Sequence, residues 1–297
     1  MLTKYLHLIK LHRIKFGLFC AWLLLLIAQP NTLDLVINYA GFLLLGITGA
    51  IFANSTGAGG GVVFVPFFNQ LSLSNATIIA TSFAIQCCGM TAGAITWWNY
   101  YKSHHRSDPQ WASMSKALTL TIPFSILGIL LAQFGFAEYT EKALDSLHLY
   151  FGVFSILLAL AIYCSIPLMK RQVGAFHLHW FDIASLIVIS LFGGIITAWL
   201  SVGVGELTAV YLILRQFNIT FAIAVAVILS AFSVWGAIYY HLVVTQAIYW
   251  QVILFAGAGA VVGGMIAKHV VLYFSITRLK IFFATWVLIM GIAGLPY

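Results

Sequence analysis

The stretch Asn54-Ser55-Thr56-Gly57-Ala58-Gly59-Gly60-Gly61 is the part of this sequence that most constrains the fold. It lies within residues 35 to 101, a run of 67 residues that contains no Asp, Glu, Lys or Arg. Such a run is typical of membrane proteins, because one spanning helix needs only about 20 apolar residues. Four glycines in five residues disfavour a continuous helix, since each costs about 1 kcal/mol relative to alanine. Irregular backbone at membrane depth persists where protein buries it or where it lines a cavity, so the stretch predicts a binding site for something that crosses the membrane.

The composition excludes an ordinary soluble protein. Of the 297 residues, 62% are hydrophobic and only 7% are charged, whereas soluble domains carry about 25% charged residues. The net charge of +7 is explained by basic residues in cytoplasmic loops, so we expect no nucleic-acid partner. The cysteines show no metal-ligand spacing, and the histidine pairs have no acidic or cysteine partners at zinc-like spacing. We therefore predict neither a metal site nor a cofactor.

The charge distribution predicts an all-α polytopic membrane protein with about 8–10 membrane segments, half-helices included. Charged residues separate further uncharged runs at 117–137, 146–169, 183–205, 216–267 and 281–297. The 52-residue run must turn, and we place the turn near Val243-Val244-Thr245-Gln246. The first run should hold two full spans and a short helix that begins at Gly61. Residues 1–34 are predicted to form a basic segment and a short retained helix, with a cleaved signal peptide as the alternative.

Two halves of the sequence resemble each other. Ser55, Gly57 and Gly59 match Ser201, Gly203 and Gly205 at an offset of 146. We predict transmembrane repeats at 35–169 and 181–297, joined by a cytoplasmic linker at 170–180.

Basic residues gather at 4–15, 102–116, 170–171 and 268–280, whereas the 138–145 loop is acidic. The positive-inside rule then predicts a multi-pass protein of the inner (cell) membrane with a cytoplasmic N-terminus and inverted halves. Inverted repeats with interrupted helices are the architecture of many secondary transporters.

These motifs carry a family resemblance. The segment from Gly57 to Pro66, followed by Ala80-Thr81-Ser82, resembles the GxGGGxxxVP…ATS signature of the TauE/SafE family. The resemblance covers about residues 39–295 in organisation and 57–82 in the specific motif. It implies an exporter of sulfite or organosulfonates, or an anion permease of unassigned substrate. Gly203-Val204-Gly205-Glu206 is a degenerate echo, in which Glu206 and Leu207 stand where glycines are expected. An ionised carboxylate there would repel an anion, so the substrate stays open.

A site for a small anion is predicted at the two glycine breaks. Glycines let backbone N–H groups approach a ligand closely, and a half-helix that begins at Gly61 directs its positive dipole end toward the same place. The alternative is that these glycines only allow helices to pack tightly. The predicted substrate-binding residues are Asn54, Ser55, Thr56, Gly57, Gly59, Gly60, Gly61, Thr81, Ser82, Ser201, Gly203 and Gly205.

Three ionisable residues are candidates for proton coupling or gating. Glu206 lies beside the second break, and carboxylates within the membrane often serve as proton relays. The alternative for Glu206 is a boundary residue whose carboxylate reaches interfacial water and pairs with Arg215. Arg215 is predicted either at the cytoplasmic end of the second half-helix or in a vestibule that attracts anions. His241 lies in the long uncharged run and either titrates or forms a helix contact.

Secondary transport by alternating access is therefore the predicted function. An uncoupled channel and a permease for another small organic acid are the alternatives. A membrane-embedded enzyme is disfavoured, because the sequence has no HExxH, no GxSxG and no carboxylate pair. The expected partners are a small anionic substrate, the lipid bilayer and a coupling proton. The oligomeric state is left open, with a homodimer as one alternative.

Overall fold

A computed structural model describes residues 16–71, 73–135, 146–167, 177–293 and 295. The basic segment 4–15, the acidic loop 138–145 and the pair 170–171 lie outside these ranges. Within them the chain forms twelve α-helices and no strand. They are α1 (Phe16–Ile27), α2 (Thr32–Tyr39), α3 (Gly41–Thr56), α4 (Gly61–Asn69), α5 (Asn75–Tyr100), α6 (Met114–Leu130), α7 (Leu147–Ser165), α8 (Trp180–Leu200), α9 (Val204–Leu214), α10 (Ile219–Tyr239), α11 (Trp250–Tyr273) and α12 (Ile276–Ala293).

The helices confirm an all-α polytopic membrane protein. Among the described residues, five helices are long and apolar enough to span a membrane: those within Asn75–His105, Pro109–Gly135, Trp180–Leu200, Ile219–Val244 and Trp250–Tyr273. A sixth span results if α1 and α2, bent by 113° relative to each other, count as one. Helices α3 and α9 are apolar but shorter.

Local sequence signals set the helix boundaries. The side chain of Ser74 accepts a hydrogen bond from the Thr77 N–H at the start of α5, as N-cap residues do. Asn218 caps α10 in the same way. Gly57 ends α3 in the left-handed conformation, with φ 80°, which glycine adopts at no steric cost. Helix α3 therefore has only 16 residues, and the full span predicted before the glycine cluster is wrong. The predicted start of the half-helix at Gly61 and the turn after Val244 are confirmed.

Each broken helix folds back as a hairpin. The Phe42 ring at the start of α3 lies 6.1 Å from the Phe67 ring and 6.2 Å from the Phe68 ring at the end of α4, measured between centroids. Likewise Asp182 near the start of α8 contacts Arg215, the residue that follows α9. Both ends of each hairpin thus lie on the same side of the molecule, and the glycine break forms its tip.

The two halves pack against each other reciprocally. We count α3 to α7 as the first half and α8 to α12 as the second. The first helix of the first half, α3, packs along the fourth helix of the second half, α11. Correspondingly, the first helix of the second half, α8, packs along the fourth helix of the first half, α6. Close approach depends on small residues: a Cβ at Gly259 would meet the backbone of α3, and a Cβ at Gly128 would meet the backbone of α8. Helices α5 and α10, the third of each half, pack together, and both continue into π-helical turns. This reciprocity supports the predicted repeat, while the inverted orientation of the halves stays a prediction.

Candidate anion site between the two glycine breaks

The tips of the two hairpins meet in the buried centre of the helix bundle. A Cβ at Gly61 in the first break would lie 2.7 Å from the carbonyl carbon of Ser201 in the second. A Cβ at Gly205 in the second break would lie 2.6 Å from the carbonyl oxygen of Gly57 in the first. Neither distance is compatible with a larger residue. Glycine is therefore required at both positions because two backbones touch, and residues 140 and 148 positions apart in sequence become neighbours.

The carboxylate of Glu206 joins the two breaks. Its Oε1 accepts a hydrogen bond of 2.6 Å from the Gly59 N–H, in the first break. Its Oε2 accepts a hydrogen bond of 2.8 Å from the Gly203 N–H, in the second. The second bond is a capping interaction, since Glu206 is the third residue of α9 and binds the N–H of the N-cap residue. The first has no local explanation, because Gly59 belongs to the other half of the chain.

A second hydrogen-bond network lies beside this carboxylate. The side-chain oxygen of Gln86 on α5 accepts a bond of 2.8 Å from the Gly60 N–H. Its amide nitrogen donates to the Ser82 hydroxyl at 3.1 Å and to the Ser201 hydroxyl at 2.8 Å. The Ser201 hydroxyl also donates to that of Ser82, at 2.9 Å. Gln86 therefore ties the long helix α5 to both hairpin tips.

The electrostatics of this centre favour an anion. Helices α4 and α9 both begin here, so two positive dipole ends converge on one point, together with backbone N–H groups that bind side chains instead of carbonyls of their own helix. In the part of the chain that the structure describes, no Lys, Arg or His lines the space around Glu206. The negative charge of the Glu206 carboxylate is thus stabilised here by backbone N–H groups rather than by cationic side chains, an arrangement found at helix N-termini that bind anions.

The site is closed in this structure. Two cavities of about 10 Å³ each flank Glu206, one lined by Thr56 and Ala209, the other by Thr197, Ser201 and Ser230 among others. A space of this size holds at most one water molecule. The hairpin tips would have to separate before a larger anion enters.

The structure brings most of the predicted binding residues together. Gly57, Gly59, Gly60 and Gly61 form the first tip, and Ser201, Gly203 and Gly205 form the second. Ser82 joins them through the network of Gln86, and Thr56 lines one of the two small cavities.

Three predicted residues face other parts of the fold. The amide of Asn54 donates to the Ala50 carbonyl at 2.8 Å, within its own helix. The hydroxyl of Ser55 donates to a carbonyl of α11 at 3.3 Å. The hydroxyl of Thr81 accepts the N–H of Tyr249, in the turn before α11. These contacts position helices, and none of them reaches Glu206.

His241 and Arg215, the other ionisable candidates, also lie apart from Glu206. The ring of His241 stacks on Phe83 with centroids 4.9 Å apart, and neither ring nitrogen has a hydrogen-bond partner among the residues that the structure describes. The guanidinium of Arg215 donates from Nε to Asp182 at 2.6 Å, so its partner is Asp182 rather than Glu206. The side chain of Asp182 is 1% exposed. It also accepts hydrogen bonds from the Tyr211 hydroxyl and from the N–H of His179, the N-cap residue of α8.

We expect Asp182→Ala to lower the free energy of unfolding by about 1–3 kcal/mol, because it leaves the Tyr211 hydroxyl and Arg215 without their shared acceptor. The loss stays moderate because the Arg215 side chain is 41% exposed and can be hydrated. Unfolding of the detergent-solubilised protein, followed by circular dichroism during titration with a denaturing detergent, measures the change.

Asp108→Ala is the matched control for this substitution. The hydrogen bond with His105 holds the pKa of Asp108 below its ordinary value, so the pair contributes stability at neutral pH and loses it on acidification. The Asp108 side chain is 30% exposed, against 1% for Asp182, so water can replace its bonds to His105 and to the Gln110 N–H, and a loss below about 1 kcal/mol is expected. Equal losses in the two variants would contradict a special role of Asp182 in closing the second hairpin.

Sequence reasoning underrated several polar residues that line the site. They are Gln86, Thr197 and Ser230, none of which is among the predicted site residues. Thr197 accepts the Val204 N–H at 2.9 Å and so caps the start of α9. In the sequence these three residues differ from their neighbours only as polar side chains in apolar helices. Membrane helices also use such side chains for ordinary packing, so the pattern does not by itself indicate a site.

Comparison with known proteins gives one match. The family model described as sulfite exporter TauE/SafE matches residues 42–294. This range includes both glycine breaks and all helices that pack around them. No curated protein and no solved structure matches the chain.

Proposed function

Since the chain belongs to the sulfite exporter TauE/SafE family, we propose that it is a secondary transporter that exports sulfite or an organosulfonate by alternating access. The family comprises membrane transporters rather than enzymes, and the chain is a multi-pass membrane protein. An uncoupled channel and a permease for another small organic acid are the competing functions.

One observation carries the proposal: the tips of two broken-helix hairpins meet, with the N-termini of α4 and α9 directed at one buried point. In transporters built from repeats, discontinuous helices place their positive ends at the anionic group of the substrate. A sulfonate or sulfite group offers several oxygen acceptors, which suit the N–H groups of Gly59, Gly60 and Gly203. No cationic side chain is needed for such a site.

Alternating access fits the closed state of the site. The tips are held together by Glu206 and by Gln86, and the small cavities beside Glu206 leave no room for the substrate. We propose that the two halves move relative to each other, so that the tips separate toward one side of the membrane and then toward the other. The reciprocal packing of α3 on α11 and of α8 on α6 supplies two similar sliding surfaces for that motion.

The proposed location is the inner membrane, with the N-terminus in the cytoplasm. Contacts among described residues support this orientation, because they gather basic residues at one end of the molecule. The 102–116 loop contacts the start of α10 through a bond of 2.6 Å between Asn218 and Gln110. Lys268 lies 5.2 Å from the ring centre of Tyr100. A positive end of this kind marks the cytoplasmic side.

Glu206 is proposed as the residue that couples transport to a proton. Among the described residues it is the only acidic one that lines the two small cavities, and it contacts both hairpin tips. His241 and Arg215 are proposed to act in gating rather than in substrate contact, given their distance from this network. A homodimer stays a prediction.

Flux measurements on the purified protein in liposomes test this function. We expect an imposed pH gradient to drive uptake of sulfite or a sulfonate, with little uptake of small carboxylates. Gradient-driven flux by Glu206→Gln should fall to the level of protein-free liposomes, because the variant carries no exchangeable proton there. Flux that ignores the gradient in both proteins would favour a channel, and flux of carboxylates alone would favour another permease.

A further inference from the structure

The contacts of Glu206 indicate a second role for this residue besides proton coupling. We propose that its carboxylate is a built-in competitor of the transported anion: it occupies, in the closed state, the same backbone N–H groups that would bind the substrate. This inference rests on the proposed function, since it concerns how the same site admits its anion.

The geometry of Glu206 is that of a bound anion. Each carboxylate oxygen accepts one short backbone hydrogen bond, at 2.6 Å from Gly59 and at 2.8 Å from Gly203. Short bonds from backbone N–H groups at helix N-termini are the pattern in which carboxylates, phosphates and sulfates are held. Two oxygens of a sulfonate would accept the same two bonds. The carboxylate and the substrate therefore cannot occupy these donors together.

A free hydroxyl beside the carboxylate also indicates a ligand. Ser230 on α10 is 3% exposed, and its hydroxyl has no hydrogen-bond partner among the described residues although it lines the same small cavity as Glu206. It lies directly against the backbone of Gly205. An unpaired buried hydroxyl costs free energy, so its presence at this point is explained if it donates to an anion when the site is occupied.

No other charged group takes part in this competition among the residues that the structure describes. The elements packed around Glu206 present only neutral side chains to it: Ala58 from the first break, Gln86 from α5, Leu158 and Ile162 from α7, Thr197 from α8, Ala209 and Val210 from α9, and Ser230 and Ser233 from α10. The charge at the tips therefore changes only when Glu206 gains or loses a proton, or when an anion binds.

Competition predicts the sign of the pH dependence. An ionised Glu206 holds both N–H groups and repels a second negative charge, so anion binding is weak. A protonated Glu206 repels no anion and accepts these hydrogen bonds more weakly, so the donors become available. Each bound anion is then accompanied by one proton on Glu206, and affinity falls as pH rises.

Calorimetric titration of the detergent-solubilised full chain with methanesulfonate tests the competition. This probe stays ionised from acidic to mildly alkaline pH, so any pH dependence belongs to the protein. Wild-type affinity should fall as pH rises. Glu206→Gln should bind about tenfold more tightly at neutral pH and show no such dependence, because the competing charge is gone. Asp182→Asn, which changes a buried carboxylate away from the tips, should keep the wild-type profile.

The outcomes separate this inference from the proposed function. Wild-type affinity that is independent of pH, or weaker binding by a monodisperse Glu206→Gln, would overturn the competition while leaving transport intact. If that variant does not fold, the wild-type pH profile decides by itself. Absence of binding and of flux for every sulfur anion, in a monodisperse wild-type protein, would reject the function and the competition with it.

Discussion

Replacing Gly61 by alanine is expected to abolish gradient-driven anion flux. The added Cβ would lie 2.7 Å from the carbonyl carbon of Ser201, and the atoms it meets are backbone, which cannot rotate away as a side chain can. The two hairpin tips must then move apart, which breaks the bonds of Gly59 and Gly60 to Glu206 and Gln86. Overpacking of this kind costs about 1–3 kcal/mol of stability. The measurement is flux per reconstituted protein, together with detergent-induced unfolding.

Gly41→Ala is the matched control for Gly61→Ala. Gly41 is also the first residue of a helix, but a Cβ at Gly41 would have no neighbour within 4 Å in the part of the chain that the structure describes. Alanine is a better helix former than glycine, so this variant should keep its flux and gain up to about 1 kcal/mol of stability. Normal flux by Gly61→Ala would show that contact between the tips is not required for transport, and the site would have to lie elsewhere.

Gln86→Leu is expected to reduce flux at least about tenfold and to lower the free energy of unfolding by about 2–4 kcal/mol. Leucine has a similar size but makes none of the four hydrogen bonds of the Gln86 side chain. The Gly60 N–H is then buried without an acceptor, and the carbonyl of Ser201 loses its donor. The first break is no longer held against α5, so the N–H groups of the site lose their fixed direction.

Gln133→Leu provides the comparison within the same fold. Gln133 is 1% exposed and lies in the π-helical end of α6, where it makes one hydrogen bond, of 3.2 Å, and leaves its side-chain oxygen unpaired. Its replacement should change the stability by less than about 1 kcal/mol and leave flux unchanged. Similar effects of the two substitutions would mean that Gln86 acts only as a buried amide and not as part of the site.

The boundaries of the broken helices were predictable because they depend on local chemistry. Glycine at position 57 permits the left-handed conformation that ends α3, and the next helix begins at Gly61 as the sequence predicted. The turn after Val244 was predictable because a run of 52 uncharged residues exceeds one membrane span. The length of α3 was not, since an uncharged run does not show where helical backbone stops.

The direction of polar side chains was much less predictable. Asn54, Ser55 and Thr56 are consecutive and equally polar, yet Asn54 binds within α3, Ser55 faces α11, and only Thr56 lines a cavity beside Glu206. Successive residues of a helix point about 100° apart, so neighbours in sequence contact different partners. Which of them reaches the site depends on which helix packs on each face.

The sequence by itself determined that this chain lies in a membrane, that two glycine breaks interrupt it, and that Glu206 adjoins the second. These conclusions follow from composition and from backbone preferences, which act over a few residues. Only the tertiary structure decided that the breaks touch, that Glu206 accepts the Gly59 N–H, and that Asp182 rather than Glu206 pairs with Arg215. Such contacts join residues far apart in sequence, and they arise because packed helices bring distant backbone groups together at the tips of two hairpins.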